Sequence, residues 1–356
     1  MNRTARSDAA GMTAAEVHAR VATTTAWREA SGGGVAIAAA LRVAQDTPAS
    51  LLERLRRAPR VIITGAGSSL YIAQVAAFAM RERAGLAAEA QPLSEVLLRP
   101  GAVLAGQAWA DQPVVVVSRS GSTTEALEVL RAARARGQYT VAVTCRPEAP
   151  MAGLADLTLA VPEGDEEAIV MTRSFAGQAA LLLGLAARLG NGDLAAHLDR
   201  VPERWGELGP YLDHAFALAA AGPSRLVVLG AGAAFGLANE AVLKATETSQ
   251  IPASAFHPLE FRHGPMSVCE PGVVVVGLLG GSGEPDERRV LDESGDLGAT
   301  TLALGPEGPG ADLDPTARLL LALHVLQALA LGIAVRRGLD PEQPRHLEQV
   351  VVIGEA

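Results

Sequence analysis

The sequence has almost no cysteine: two residues, Cys145 and Cys269, in a chain of 356. Two distant cysteines build neither a disulfide framework nor a Cys-rich zinc site, and a reduced, cytoplasmic setting is expected. Positive charge is also scarce. The formal net charge is −9, which argues against nucleic acid as a main partner, because phosphate-backbone binding needs a basic surface. A small phosphorylated ligand needs only local donors and stays allowed. The first residues, MNRTARSDAAGMTAAE, contain no apolar stretch of the kind a signal peptide needs. The longest apolar run, LLLALHVLQALALGIAV (319–335), is 17 residues and carries His324 and Gln327. It predicts a buried helix rather than a membrane span, and no membrane partner.

What the chain has in quantity is apolar side chain, 49% against 19% charged. That supplies a large core and argues against global disorder. The length predicts two domains, since single cores stop growing near ~250 residues.

The organisation repeats. RVIITGAGSSLYIAQVAAFAM (60–80) is a β-branched run that ends in Gly-x-Gly and passes into a helical pattern. RLVVLGAGAAFGLANEAVLKA (225–245) has the same grammar, so Gly65, Gly67 and Ala73 correspond to Gly230, Gly232 and Ala238. Each half then carries a Val-rich run, QPVVVVSRSGS (112–122) and PGVVVVGLLGGSG (271–283), and a third strand candidate at 139–145 and 299–305. Continuous apolar strands alternating with helical segments predict parallel sheets covered on both faces. The expected fold is α/β, with two tandem doubly wound parallel-sheet domains of flavodoxin-like, αβα-sandwich type. The expected boundaries are a helical extension over 1–50, domains over 51–190 and 222–350, a helical connector over 191–221 and a tail over 351–356. Ligands of such sheets bind outside the carboxyl ends of the strands, at loops 65–70, 118–123 and 230–236.

GAGSSL (65–70) lacks the third glycine and the downstream acidic residue of a dinucleotide fingerprint. Its glycines permit a tight turn, and Ser68 and Ser69 stand where the next helix begins. Two readings remain open for these serines: helix caps, or hydroxyl donors at a helix start suited to an anion. SRSGSTTEA (118–126) adds Ser118, Arg119, Ser120, Ser122, Thr123 and Thr124 around Gly121. Hydroxyls, backbone donors and one cation suit a phosphate monoester. The second half has Ala233 and Ala234 where the first has Ser68 and Ser69, so phosphate binding is expected in the first half only.

Glu240, Lys244 and Glu247 fall within one narrow sector of a helix. By spacing alone they are a surface ion-pair row. Beside a bound sugar phosphate, a carboxylate of this row would move a proton between C1 and C2, and His263 would open the sugar ring. A zinc site of His257, Glu260 and His263 fits no standard spacing. No metal and no organic cofactor are indicated.

With these residues the chain resembles the sugar isomerase (SIS) domain family. The resemblance rests on GAGSS (65–69), SRSGSTTE (118–125), EAVLKATE (240–247) with FRHGP (261–265), and DPEQPRHLEQV (340–350). It is similar to the isomerase half of glucosamine-6-phosphate synthases, and MTRSF (171–175) leans toward the stand-alone galactosamine-6-phosphate deaminase/isomerases. The resemblance implies that Ser69, Ser118, Arg119, Ser120 and Thr123 hold a phosphate. It implies Glu247 as the C1–C2 base beside Lys244 and Glu240, and His263 as the ring opener, reaching a neighbouring subunit of a homodimer. The resemblance implies that Gly67 and Thr172 lie next to the substrate, and for Thr172 the helix-cap reading stays equally open. The synthases' Schiff-base lysine corresponds to Gln349, which forms no imine, and no glutaminase activity is expected. The implied activity is a phosphosugar aldose–ketose isomerase or an aminosugar-phosphate deaminase/isomerase acting on a hexose or hexosamine 6-phosphate. The alternatives are a sugar-phosphate-binding regulator without turnover and a deglycase of phosphorylated sugar–amine adducts.

Overall fold

The computed structural model describes residues 11–104 and 109–348. Among the described residues, four helices precede the first strand: α1 (Ala14–Val21), α2 (Thr25–Ser31), α3 (Gly33–Asp46) and α4 (Ala49–Arg57). α1 starts at a capping box, in which Glu16 N–H donates to Thr13 Oγ1 and Thr13 N–H donates to the Glu16 carboxylate.

The chain divides into two compact units. One takes Gly33–Glu166 and Arg173–Asp199. The other takes the described residues up to Gly32, then Glu167–Thr172 and Arg200–Leu347. This partition differs from the sequence expectation at both helical segments. The stretch expected as one N-terminal extension splits between Gly32 and Gly33, and the expected connector splits between Asp199 and Arg200. The reason is packing. α3 lies on α7 (Arg173–Leu189) through small residues, and a Cβ added to Gly184 would stand 2.6 Å from the Ala44 Cβ. α1 and α2 instead give their buried Val17, Val21 and Trp27 to the other unit.

The first unit holds a parallel sheet of β1 (Val61–Gly65), β2 (Ala88–Pro92), β3 (Val114–Val117), β4 (Thr140–Thr144) and β5 (Leu157–Ala160). Its order is β2-β1-β3-β4-β5, the flavodoxin-like order. Helix α5 (Ser68–Ala84) follows β1, and α6 (Thr124–Ala135) follows β3. All four valines of β3 are buried, each removing apolar surface worth roughly 1.5–3 kcal/mol.

The second unit holds β6 (Arg225–Gly230), β7 (Ala253–Phe256), β8 (Val273–Leu278) and β9 (Thr300–Leu304), all parallel, in the order β7-β6-β8-β9. Among the described residues this order matches that of the first four strands of the first sheet. Its main helices are α8 (Gly209–Ala220), α9 (Ala233–Ser249), α10 (Glu284–Asp296) and α11 (Pro315–Arg336). α11 contains the long apolar run. It is long and apolar enough to cross a membrane, yet 94% of its apolar window is buried inside the protein. There His324 is stacked between Trp27 and Trp205, with ring centroids 4.9 and 4.8 Å away.

The likeness of the two strand-to-helix turns reaches backbone detail. Gly67 and Gly232 both precede the helix with nearly equal angles, φ 55°, ψ −129° and φ 62°, ψ −131°, in a region that L side chains avoid. A Cβ on Gly65 would stand 2.4 Å from the Ser69 backbone, and one on Gly230 would stand 2.6 Å from the Ala234 backbone. Both strands turn into their helices too tightly for any other residue.

Candidate active site

In the first sheet the order of strand addition reverses between β1 and β3, and the loops leaving these strands are the GAGSS and SRSGS segments. This is the crevice in which open parallel sheets hold ligands. Ser68 and Ser69 are buried in the first turn of α5, whose N-cap is Gly67, with no side-chain cap. The serines therefore do not cap the helix. In the second loop Ser118 Oγ accepts from Gly121 N–H at 3.2 Å and lies 3.3 Å from Thr123 Oγ1. Ser120 Oγ accepts from Ser122 N–H at 3.3 Å. Thr123 occupies the N-cap of α6 but makes no side-chain cap hydrogen bond. A Cβ on Gly121 would meet the Ala149 Cβ at 2.6 Å, so the loop has one packed form. Two helix starts with uncapped N-terminal backbone donors, converging on one crevice with several hydroxyls, suit an oxyanion.

Arg119, expected from the sequence at the phosphate, has its guanidinium beside a carboxylate in this structure. The side chain is 5% exposed, and its Nη1 lies 3.6 Å from Oε1 of the fully buried Glu166. The charge is turned inward toward a carboxylate. The backbone is fixed as well: Arg119 C=O accepts from Cys145 N–H and from Thr144 Oγ1. Glu166 was not legible as a functional residue. The signal for it is the acidic run just before MTRSF, where its carboxylate accepts from Arg173 N–H at 2.9 Å and from the Ser174 hydroxyl, at the start of α7. Burial pushes the nearby Cys145 thiol far up, aided by the Glu166 and Asp165 charges.

In the second unit the charged row of α9 is not a solvated face. Glu240 is fully buried and Lys244 nearly so, with Nζ 3.5 Å from Glu240 Oε1 and 2.5 Å from Glu247 Oε2. Glu247 is the one of the three open to solvent, its side chain 17% exposed. α9 is held between the strands β6 and β7 and helix α11. Thr248 Oγ1 donates to Lys244 C=O and Ser249 Oγ to Ala245 C=O, after which the helix stops at Gln250 in a left-handed conformation. Desolvating three charges is costly unless they satisfy one another.

His263 follows the short helix Pro258–Phe261 and is exposed. Its ring makes no hydrogen bond or ion pair to Glu240, Lys244 or Glu247. His257 stacks on Phe235 at 4.0 Å. Among the described residues no three His, Cys, Asp or Glu side chains group as a metal site. Thr172 is buried on the loop after β5. This loop is held by Gln327 Nε2, which donates to Thr172 C=O at 3.1 Å, and by Glu29, whose carboxylate accepts from Glu167 and Ala168 N–H. The carboxylate of Glu342 accepts from Thr25 and Ala26 N–H at the start of α2. Gln349 lies outside the described residues.

Residues 54–188 match the family model described as SIS domain. This part of the chain belongs to the SIS domain family. The chain is 30% identical over 326 residues to the glutamine–fructose-6-phosphate aminotransferase (isomerizing) of Aeropyrum pernix, covering 83% of this chain and 51% of that protein. The chain thus spans about half the length of the curated relatives it matches. Among solved structures it is similar to a glucosamine-6-phosphate deaminase from Thermotoga maritima, with a TM-score of 0.78 and 27% identity over 93% of this chain and 100% of that one. A tagatose-6-phosphate ketose/aldose isomerase from Escherichia coli has the same fold, with a TM-score of 0.78, 23% identity and 94% and 97% coverage.

Proposed function

We propose that this SIS-family protein is a sugar-phosphate isomerase or an aminosugar-phosphate deaminase/isomerase acting on a hexose or hexosamine 6-phosphate. One observation carries the reading. α9 buries a Glu–Lys–Glu row whose last carboxylate alone reaches solvent. Such a row holds an accessible carboxylate in a fixed orientation beside a buried cation, as a general base requires. The likeness to the deaminase structure along its whole length supports it.

In this reading Ser68, Ser69, Ser118, Ser120 and Thr123 receive the phosphate, with the N–H groups of α5 and α6, beside Gly67. Thr172 lies beside the sugar. The second sheet, with its matching strand order, is a second SIS domain that carries Glu247. His263 protonates the ring oxygen of the cyclic sugar. Its exposed position suits delivery to the site of a neighbouring subunit in a homodimer.

Glu247 then takes the C2 proton of the open-chain aldose, and the electron pair becomes the C1–C2 double bond as O1 gains a proton. The proton returns to C1. When C2 carries oxygen, loss of the O2 proton leaves the ketose. When C2 carries nitrogen, the product is an imine, and one water converts it to the ketose and ammonia. Both outcomes use the same base, and neither needs a lysine imine. Lys244 orients Glu247 and balances Glu240.

Incubation with a panel of hexose and hexosamine 6-phosphates tests the reading. It expects ketose from the former or ammonia from the latter. Tight binding of these compounds with no turnover by the wild-type protein contradicts it.

A further inference from the structure

The buried pair of Arg119 and Glu166 has no place in the proton transfer described above. Resting on the phosphate-site reading, we infer that Glu166 is a positioning residue that withholds the Arg119 charge, so that hydroxyl and backbone donors hold the anion without a formal cation.

Four observations support this. Arg119 follows Ser118 and precedes Ser120 in the SRSGS loop, and both serine hydroxyls are ordered within that loop. Its guanidinium nevertheless lies 3.6 Å from a carboxylate with no exposed surface. That carboxylate is itself anchored, accepting from Arg173 N–H and the Ser174 hydroxyl at the start of α7. Finally, the Arg119 main chain is tied to β4 through Thr144 and Cys145. The loop backbone therefore keeps its form if the side-chain pair is broken, and only the direction of the charge is free to change. A fully engaged arginine would tighten the hold on a phosphate monoester through charge-assisted bonds, at the expense of product release. The pairing with Glu166 sets that hold at a lower level.

Glu166→Gln keeps its amide oxygen as acceptor for Arg173 N–H, lets the Ser174 hydroxyl accept from the amide NH2, and removes the charge. Calorimetry with inorganic phosphate, on the full chain, should show about tenfold tighter binding than wild type, a gain that shrinks at high salt. The double variant Arg119→Gln/Glu166→Gln restores a neutral pair, and its phosphate affinity should stay within about threefold of wild type. A role confined to folding moves the melting temperature and gives neither result. Phosphate binding unchanged or weaker in a folded Glu166→Gln overturns the inference. So does a loss of about tenfold or more in the double variant, which decides the matter if the single variant does not fold. Failure of the unmodified protein to bind phosphate removes the phosphate-site reading itself, a result distinct from binding that ignores Glu166.

Discussion

The Lys244 ammonium lies 2.5 Å from the Glu247 carboxylate, on a helix where it also faces the buried Glu240 at 3.5 Å. One cation thus serves two carboxylates in different surroundings, one sealed and one open. The sealed one sets the structural demand, and the open one is available for chemistry.

Removing the cation should therefore cost stability. Lys244→Met strips the ammonium from Glu240 and is expected to destabilise the fold by about 3–5 kcal/mol. Lys244→Met/Glu240→Gln should recover most of that. Urea denaturation of the two variants checks this, and equal stabilities would contradict the pairing.

The turn after β1 should tolerate no side chain. Gly65→Ala places a Cβ against the Ser69 and Leu70 backbone and is expected to lose at least about 3 kcal/mol. Gly153, in the helix Pro150–Leu154, has open space around its Cβ direction. Gly153→Ala should change stability by about 1 kcal/mol or less. Thermal melts of both variants distinguish these outcomes.

Acid should weaken the second unit through His324. Burial lowers its pKa to about 4, against a smaller opposing effect of the hydrogen bond with Gln327. The unfolded chain binds this proton near pH 6.5 and the folded chain does not, so stability falls as pH drops from about 6.5 toward 4. At about 1.4 kcal/mol per pKa unit, the loss approaches roughly 3 kcal/mol. In His324→Phe this part of the pH slope should vanish while the carboxylate contributions below it remain. Denaturation curves at pH 7, 5.5 and 4.5 give the comparison.

Phosphate affinity should depend on hydroxyls that do not hold the fold. Thr123 is half-buried and does not cap α6. Thr123→Val should weaken inorganic-phosphate binding by about five- to tenfold and shift stability by no more than about 1 kcal/mol. Titration calorimetry and a melt on the same sample test both halves.

Much of this architecture is visible in the residues. The matched glycines announce the repeated strand-to-helix turn, and the valine runs announce β3 and β8. The strands β2, β5 and β7 escape such reading, since AEAQP, LTLA and ASAF are short and mostly half-buried, with little apolar periodicity to betray them. Charge spacing puts Glu240, Lys244 and Glu247 on one helix face but says nothing of burial, which comes from α9 being covered by α11. The direction of Arg119 is likewise illegible, because it depends on Glu166, 47 positions away in the chain. The division of the N-terminal helices between the two units follows from small-residue packing at Ala44 and Gly184, a contact with no local signal.

The central claim is that Glu247 carries the C2 proton. The direct measurement follows a hexose 6-phosphate and a hexosamine 6-phosphate deuterated at C2, with wild type and Glu247→Gln, alongside inorganic-phosphate binding by each. The account predicts that wild type moves the label from C2 to C1 or to water. It predicts that Glu247→Gln slows this by about 10²–10⁴-fold with phosphate affinity unchanged. Label exchange at the wild-type rate in Glu247→Gln, or turnover that leaves the deuterium on C2, would contradict it.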